Sequence, residues 1–159
     1  MGNSEPTSTR SSTSIRGHVA EAQARHQRGL IDTSVVIDLG RLDPADLPSE
    51  IAVSAVTLAE LAAGPHATGD PDVRARRQDR LQRTEATFES LPVDGAVARA
   101  YGRIYAAVAD AGRKARGRRA FDLLIAATAL AAELPLYTRN PNDFHELEGL
   151  LEVVPVQVP

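Results

Sequence analysis

A three-layer α/β domain, with a mainly parallel central sheet and helices on both faces, is the fold that this sequence predicts. Three observations carry the prediction. Short apolar segments rich in β-branched residues, such as Glu50-Ile51-Ala52-Val53-Ser54, alternate with longer segments whose apolar residues recur at helical spacing. Strand–helix alternation requires crossover connections, and these place successive strands parallel. The 159 residues suffice for one sizeable core, and no internal repeat divides them.

The elements follow in order. Residues 1–17 are Ser/Thr-rich and nearly devoid of apolar side chains, and 18–28 offer only Val19, Ala20 and Ala24 as a weak apolar side. The expectation for 1–28 is a disordered or weakly helical leader, with the folded domain over 29–159. Residues 29–32 predict a short buried strand and 34–40 a helix stopped at Gly40. Pro44 and Pro48 mark a loop, 50–54 is the second strand, and 55–64 is a helix ended by Gly64-Pro65. Residues 71–90 predict a charged helix whose thin apolar stripe is Val73, Leu81 and Phe88. Leu91-Pro92-Val93 reads as the third strand. Val97, Tyr101, Ile104 and Val108 give 95–111 a helical period. Residues 120–133 are apolar almost all round, which predicts a buried helix. A strand over 134–138, a short helix over 143–150 and a last strand over 151–156 complete the chain.

Composition narrows the function classes. The chain has no cysteine, which removes disulfides and thiolate zinc sites and fits a reducing, cytoplasmic setting. No apolar run approaches the roughly 20 residues needed to cross a bilayer. A net charge of −3 speaks against nucleic acid only as a sum, because the basic residues are clustered. Arg74, Arg76, Arg77, Arg80 and Arg83 form one group; Arg113, Lys114, Arg116, Arg118 and Arg119 form another. Lys114 is the sole lysine, and arginine's planar fork suits bidentate phosphate contacts better than an ammonium does. Solvated helix faces are the structural alternative for both groups.

Four carboxylates stand where apolar sequence makes them costly. Asp32 interrupts the run Leu30-Ile31-Asp32-Thr33-Ser34-Val35 at the end of the first strand. Glu60 lies in the helix after the second strand, Asp122 enters the buried helix between Phe121 and Leu123, and Asp143 follows the fourth strand. Each has a structural explanation: a helix N-cap for Asp32, a capping box with Thr57 for Glu60, the helix dipole for Asp122, a capping pattern with Glu146 for Asp143. Sites in α/β sheets gather at the carboxyl ends of strands, and there the four would meet. Like charges about 5 Å apart repel by roughly 3 kcal/mol per pair at an effective dielectric near 20. Such a cluster must protonate, pair with arginine or hold a cation. Oxygen ligands alone favour Mg²⁺ or Mn²⁺. His18, His26, His66 and His145 show no zinc-binding spacing. A carboxylate-held ion of this kind turns bound water into hydroxide and neutralises a phosphoryl oxygen.

These residues lie in segments that resemble the PIN-domain ribonucleases, and within them the VapC-like toxins of type II toxin–antitoxin pairs. The matching segments are LIDTSVVIDL, VSAVTLAELAAG, RRAFDLLIAATALAAELPLYTRNPNDF and the terminal LEVVPV, together covering residues 30 to about 156. The resemblance implies a PIN-like three-layer fold and a metal-dependent endoribonuclease that leaves 5′-phosphate and 3′-hydroxyl ends. It implies that Asp32, Glu60 and Asp122 are metal ligands, with Asp143 or Asn140 as the fourth site residue. Thr33 and Thr138 would orient water or carboxylates through their hydroxyls. Arg113, Arg116, Arg118 and Arg119 become candidates to grip RNA phosphates, and a cognate antitoxin and a homodimer become expected partners. The thin stripe of 71–90 and the Leu39 and Leu42 region would offer a partner groove or dimer face.

Two rivals are weaker. A haloacid-dehalogenase-type phosphatase needs D-x-D at the first strand and a lysine at the phosphate, but Ser34 occupies the second position and Lys114 is far along the chain. A catalytically silent binding module on the same fold is the alternative from another class; it has no need of the carboxylates that this chain keeps.

Overall fold

The computed structural model describes residues 26–159. The expected leader therefore lies almost wholly outside the described residues, and its last member, Arg28, opens the first strand. The strands β1 (Arg28–Ile31), β2 (Glu50–Ser54), β3 (Glu89–Leu91), β4 (Leu136–Thr138) and β5 (Val153–Pro155) form one sheet in the order β3-β2-β1-β4-β5. Every neighbouring pair is parallel, so the sheet expected to be mainly parallel is wholly so. The helices are α1 (Thr33–Asp38), α2 (Ala55–Ala63), α3 (Pro71–Thr87), α4 (Gly95–Asp110) and α5 (Arg118–Ala131). No helix among the described residues is long and apolar enough to cross a membrane.

Strand periodicity builds the three layers. Successive side chains point to opposite faces of a strand, so Leu30, Ala52 and Leu136 meet one helical layer and their neighbours Ile31, Val53 and Tyr137 meet the other. The first set packs with Val97 and Ile104 of α4 and with Leu123 and Ala127 of α5. The second packs with Val35 and Val36 of α1 and Leu61 of α2. Burying each large aliphatic side chain contributes about 1.5–3 kcal/mol. Gly29 has a specific reason to be glycine: a Cβ there would lie 2.6 Å from the Tyr137 ring and 3.0 Å from Pro48. Tyr137 can therefore lie across β1 only because that side chain is missing.

Several boundaries differ from the sequence expectation. The third strand runs over 89–91 rather than 91–93, pairing Ser54 with Leu91. Pro92 has no N–H to continue the ladder. The preceding helix accordingly ends at Thr87, where Phe88 adopts extended backbone. The buried helix begins at Arg118, two residues early, after Gly117 at φ 59° and ψ −137°. That conformation is essentially reserved for glycine. The helix expected over 143–150 is a 3₁₀ segment, Pro141–Leu147.

From β1 the chain builds outward through β2 and β3, then returns to add β4 and β5 on the other side of β1. The direction reverses between β1 and β4, and open α/β sheets bind ligands at such a switch point, outside the strands' carboxyl ends.

Candidate metal centre

Asp32 stands at that point. It follows β1, and its own N–H donates to the Tyr137 carbonyl of β4 at 3.0 Å. Its carboxylate caps α1, accepting from the Val35 N–H at 3.1 Å and the Ser34 hydroxyl at 2.5 Å. The residue is 6% exposed. Burial pushes its carboxyl above the ordinary range, although hydrogen bonds from Ser34, Thr138, and the Val35 and Ser34 backbone pull the other way. The expected N-cap is therefore real, yet it does not offset the cost of burial.

Thr33, next in the chain, donates its hydroxyl to Glu60 and lies 3.2 Å from the Thr57 hydroxyl. This replaces the capping box expected between Thr57 and Glu60. The N-cap of α2 is Ser54, whose hydroxyl accepts from the Val56 N–H at 3.1 Å, and Glu60 turns across to α1 instead. Asp122 occupies the second turn of α5, because the helix starts earlier than its apolar run. Its carboxyl is pushed up to about 6, first by burial and then by the negative charges of Glu60, Asp143 and Asp32; Arg118 acts against the rise. Asp143 sits on the 3₁₀ segment after β4. Its expected partner Glu146 caps nothing and is instead held by Arg113 at 2.7 Å and Arg119 at 2.8 Å.

Glu60, Asp143 and Asp32 thus all come within electrostatic reach of Asp122. Asp32, Asp122 and Asp143 line one cavity of about 230 Å³ with Thr33, Ser34, Arg118, Asn140 and Phe144. Glu60 approaches from α2 through Thr33. None of the four enters an ion pair among the described residues. Nor, among those residues, is any group of three acidic or histidine side chains already closed around a common point where an ion would sit. Asp32 is turned onto Ser34 and the α1 N-terminus, and Glu60 onto Thr33. The donor set suits a hard divalent cation, because it is all oxygen, three of the four acids share one cavity, and the only cation lining that cavity among the described residues is Arg118 beside Asp122.

The PIN-domain family model matches residues 29–150. This chain belongs to the PIN-domain family. Ribonuclease VapC5 of Mycobacterium tuberculosis is 41% identical over 133 residues, which cover 82% of this chain and 95% of that protein. Ribonuclease VapC8 of the same species is 40% identical over 104 residues, 64% of this chain and 89% of its own length. Among solved structures, VapBC-5 of M. tuberculosis, a member of the VapBC family of toxin-antitoxin systems, superposes with a TM-score of 0.72 at 40% identity. That match covers 82% of this chain and 99% of the other.

Within this PIN domain the basic residues expected to grip RNA divide into two pairs. Arg113 and Arg119 are engaged by Glu146, whose side chain is 2% exposed, and Arg119 also donates to the Asp143 carbonyl at 3.2 Å. They tie the segment carrying Asp143 to the approach of α5. Arg116 and Arg118 enter no ion pair among the described residues, and Arg118 lines the acidic cavity. Asn140 and Asp143 both line it as well. The Asn140 N–H donates to the Thr138 hydroxyl at 3.0 Å.

Sequence reasoning missed Ser34 and Arg139, and gave Glu146 a capping role in place of its pairing with Arg113 and Arg119. Ser34 accepts the Arg139 N–H at 3.1 Å while donating to Asp32, so one hydroxyl couples the carboxylate to the exit of β4. Arg139 forms an ion pair with Asp38 across the same junction. Ser34 was readable as a polar residue two positions after a buried acid; its partner 105 residues away was not.

Proposed function

We propose that this PIN domain is an endoribonuclease that works with Mg²⁺ or Mn²⁺ held by Asp32, Glu60, Asp122 and Asp143, and that it is the toxin restrained by a cognate antitoxin. The observation that supports the reading is that Asp32, Asp122 and Asp143 line one cavity at the switch point, with Glu60 held beside it by Thr33, and that none of the four enters an ion pair among the described residues. The named ribonuclease relatives and the toxin–antitoxin structure support it from outside. When bound, a divalent ion would supply a hydroxide at neutral pH and neutralise charge on the phosphoryl oxygen.

The chain's own residues supply the rest. Ser34 and the α1 N-terminus hold Asp32 in one orientation. Thr33 does the same for Glu60, and the hydroxyl of Thr138 steadies Asp32 from β4. Arg118, one turn before Asp122, brings a guanidinium to the cavity, where it draws a phosphate towards acids that would otherwise repel it. Asn140 adds a neutral polar group on the same wall. A cytoplasmic location belongs to this reading and fits a chain without cysteine. The homodimer implied by the resemblance belongs to it too, and a sedimentation mass of one chain would remove it.

The test is cleavage of a structured RNA by the purified chain. Cutting should require Mg²⁺ or Mn²⁺, stop with chelator, and fall roughly 10²–10³-fold in Asp32→Asn and Asp122→Asn. If both variants cut as fast as the parent, the site is wrong. If the parent never cuts, a silent binding module replaces the ribonuclease.

A further inference from the structure

Beside the acids lies a groove of about 750 Å³. Thr33 and Arg118 line both it and the acidic cavity, so the two spaces adjoin. Four large hydrophobic side chains are prominently exposed among the described residues, and two of them, Ile37 at 43% and Phe121 at 48%, line this groove. Arg77, Arg80 and Arg118 also line it, together with the carboxylate of Glu60. Arg77 donates to the Gly64 carbonyl at 2.7 Å, whereas Arg80 and Arg118 enter no ion pair among the described residues. An aromatic face next to free guanidinium groups matches an unpaired nucleotide: the base stacks, and the phosphate takes the fork.

We infer that this groove holds the nucleotide adjoining the scissile phosphate of single-stranded RNA, with its base on Phe121 and its phosphate between Arg80 and Arg118. The inference rests on the ribonuclease reading, and it adds residues outside the basic run 113–119. A strand whose phosphate lies at the acids can place its next nucleotide in this groove across the wall that Thr33 and Arg118 share. An amphipathic protein segment is the other occupant that an apolar groove of this size accepts; the unpaired arginines and the shared wall favour RNA.

The experiment uses the full chain carrying Asp122→Asn, a short fluorescent single-stranded RNA spanning a mapped cleavage site, and anisotropy in Mg²⁺. Phe121→Leu, which keeps apolar bulk but removes the stacking face, should weaken binding about tenfold. Phe121→Tyr should bind like Phe121. Arg80→Gln should weaken binding and lower the salt dependence by about one phosphate contact. An RNA made abasic beside the cleavage site should lose affinity for the Phe121 chain but lose no more when Phe121→Leu is also present, the coupling that a direct contact requires. With Asp122 intact, Phe121→Leu should raise KM and leave kcat nearly unchanged. Additive losses, or a parent that cleaves RNA while these substitutions change nothing, overturn the groove inference alone and leave the groove to a protein segment. A parent that neither binds nor cleaves RNA overturns both readings.

Discussion

Two carboxyl groups of this domain respond to pH with opposite sign. Asp122 rises from an ordinary 3.8 to about 6, so the folded chain holds that proton more tightly than the unfolded chain. Its contribution to stability is full below about pH 4 and is lost as pH climbs through 6. Such a rise is worth about 3 kcal/mol if solvent screens nothing, and screening at this half-exposed position reduces it to about 1 kcal/mol. Asp122→Asn should therefore stabilise the metal-free chain at pH 7.5 by about that amount while greatly slowing cleavage. Urea unfolding of parent and variant should diverge between about pH 4 and pH 6.5; parallel curves across that range would show that Asp122 carries no penalty. Glu146 behaves oppositely. Burial alone would raise it, but hydrogen bonding from its own backbone N–H and the guanidinium groups of Arg119 and Arg113 hold it low. The stability it provides is present near neutrality and lost as the solution turns acid. At this scale the sequence disclosed that Asp32 and Asp122 were costly to bury, because each interrupts an apolar run. It did not disclose their partners, since Ser34 to Arg139 and Glu146 to Arg113 are contacts set by tertiary packing.

The 3₁₀ segment Pro141–Leu147 has little regular hydrogen bonding of its own to fix it. It is held by Phe144 and Leu147 in the core and by Glu146 against Arg113 and Arg119. Removing one partner of a buried pair leaves the others uncompensated, at a cost of about 3–5 kcal/mol when all are buried. Arg113 is 40% exposed on its side chain and Arg119 16%, so Glu146→Ala should cost about 2 kcal/mol. It should also slow cleavage, since Asp143 would lose its anchor; Glu146→Gln should recover part of both losses. Circular dichroism melts and initial rates measure these effects, and an Ala variant with parental melting and rate would show the cluster to be inert. Periodicity and stop signals located every strand and α-helix in the described residues to within a few positions, but not the 3₁₀ turns at 39–41, 44–46 and 64–67. They failed where a second rule acted: Pro92 moved the third strand back towards β2's register, and Gly117 let α5 start in charged sequence that pattern alone excluded.

At the scale of the whole molecule, the alternation of strand and helix made a three-layer architecture legible, while the strand order was not. Nothing local in Leu136-Tyr137-Thr138 states that it pairs with β1 rather than β3. Yet that pairing puts Thr138 beside Asp32 and makes the site possible. A site of mutually repelling acids couples ligand binding to global stability. Adding Mg²⁺ at about ten times its dissociation constant should stabilise the fold by about 1.4 kcal/mol, raising Tm by roughly 3–5 °C. Scanning calorimetry should record that rise in the parent and not in Asp32→Asn; an equal rise in both would mean that the ion binds elsewhere.

The outer strands of the sheet have a further consequence. β3 and β5 contain three residues each, Pro92 follows one directly and Pro155 closes the other. Short borders that end in a residue without an amide hydrogen give an incoming strand almost nothing to template on. Ribbon assembly and strand addition are therefore disfavoured at both borders, which leaves the helices and loops as the surfaces best suited to a partner.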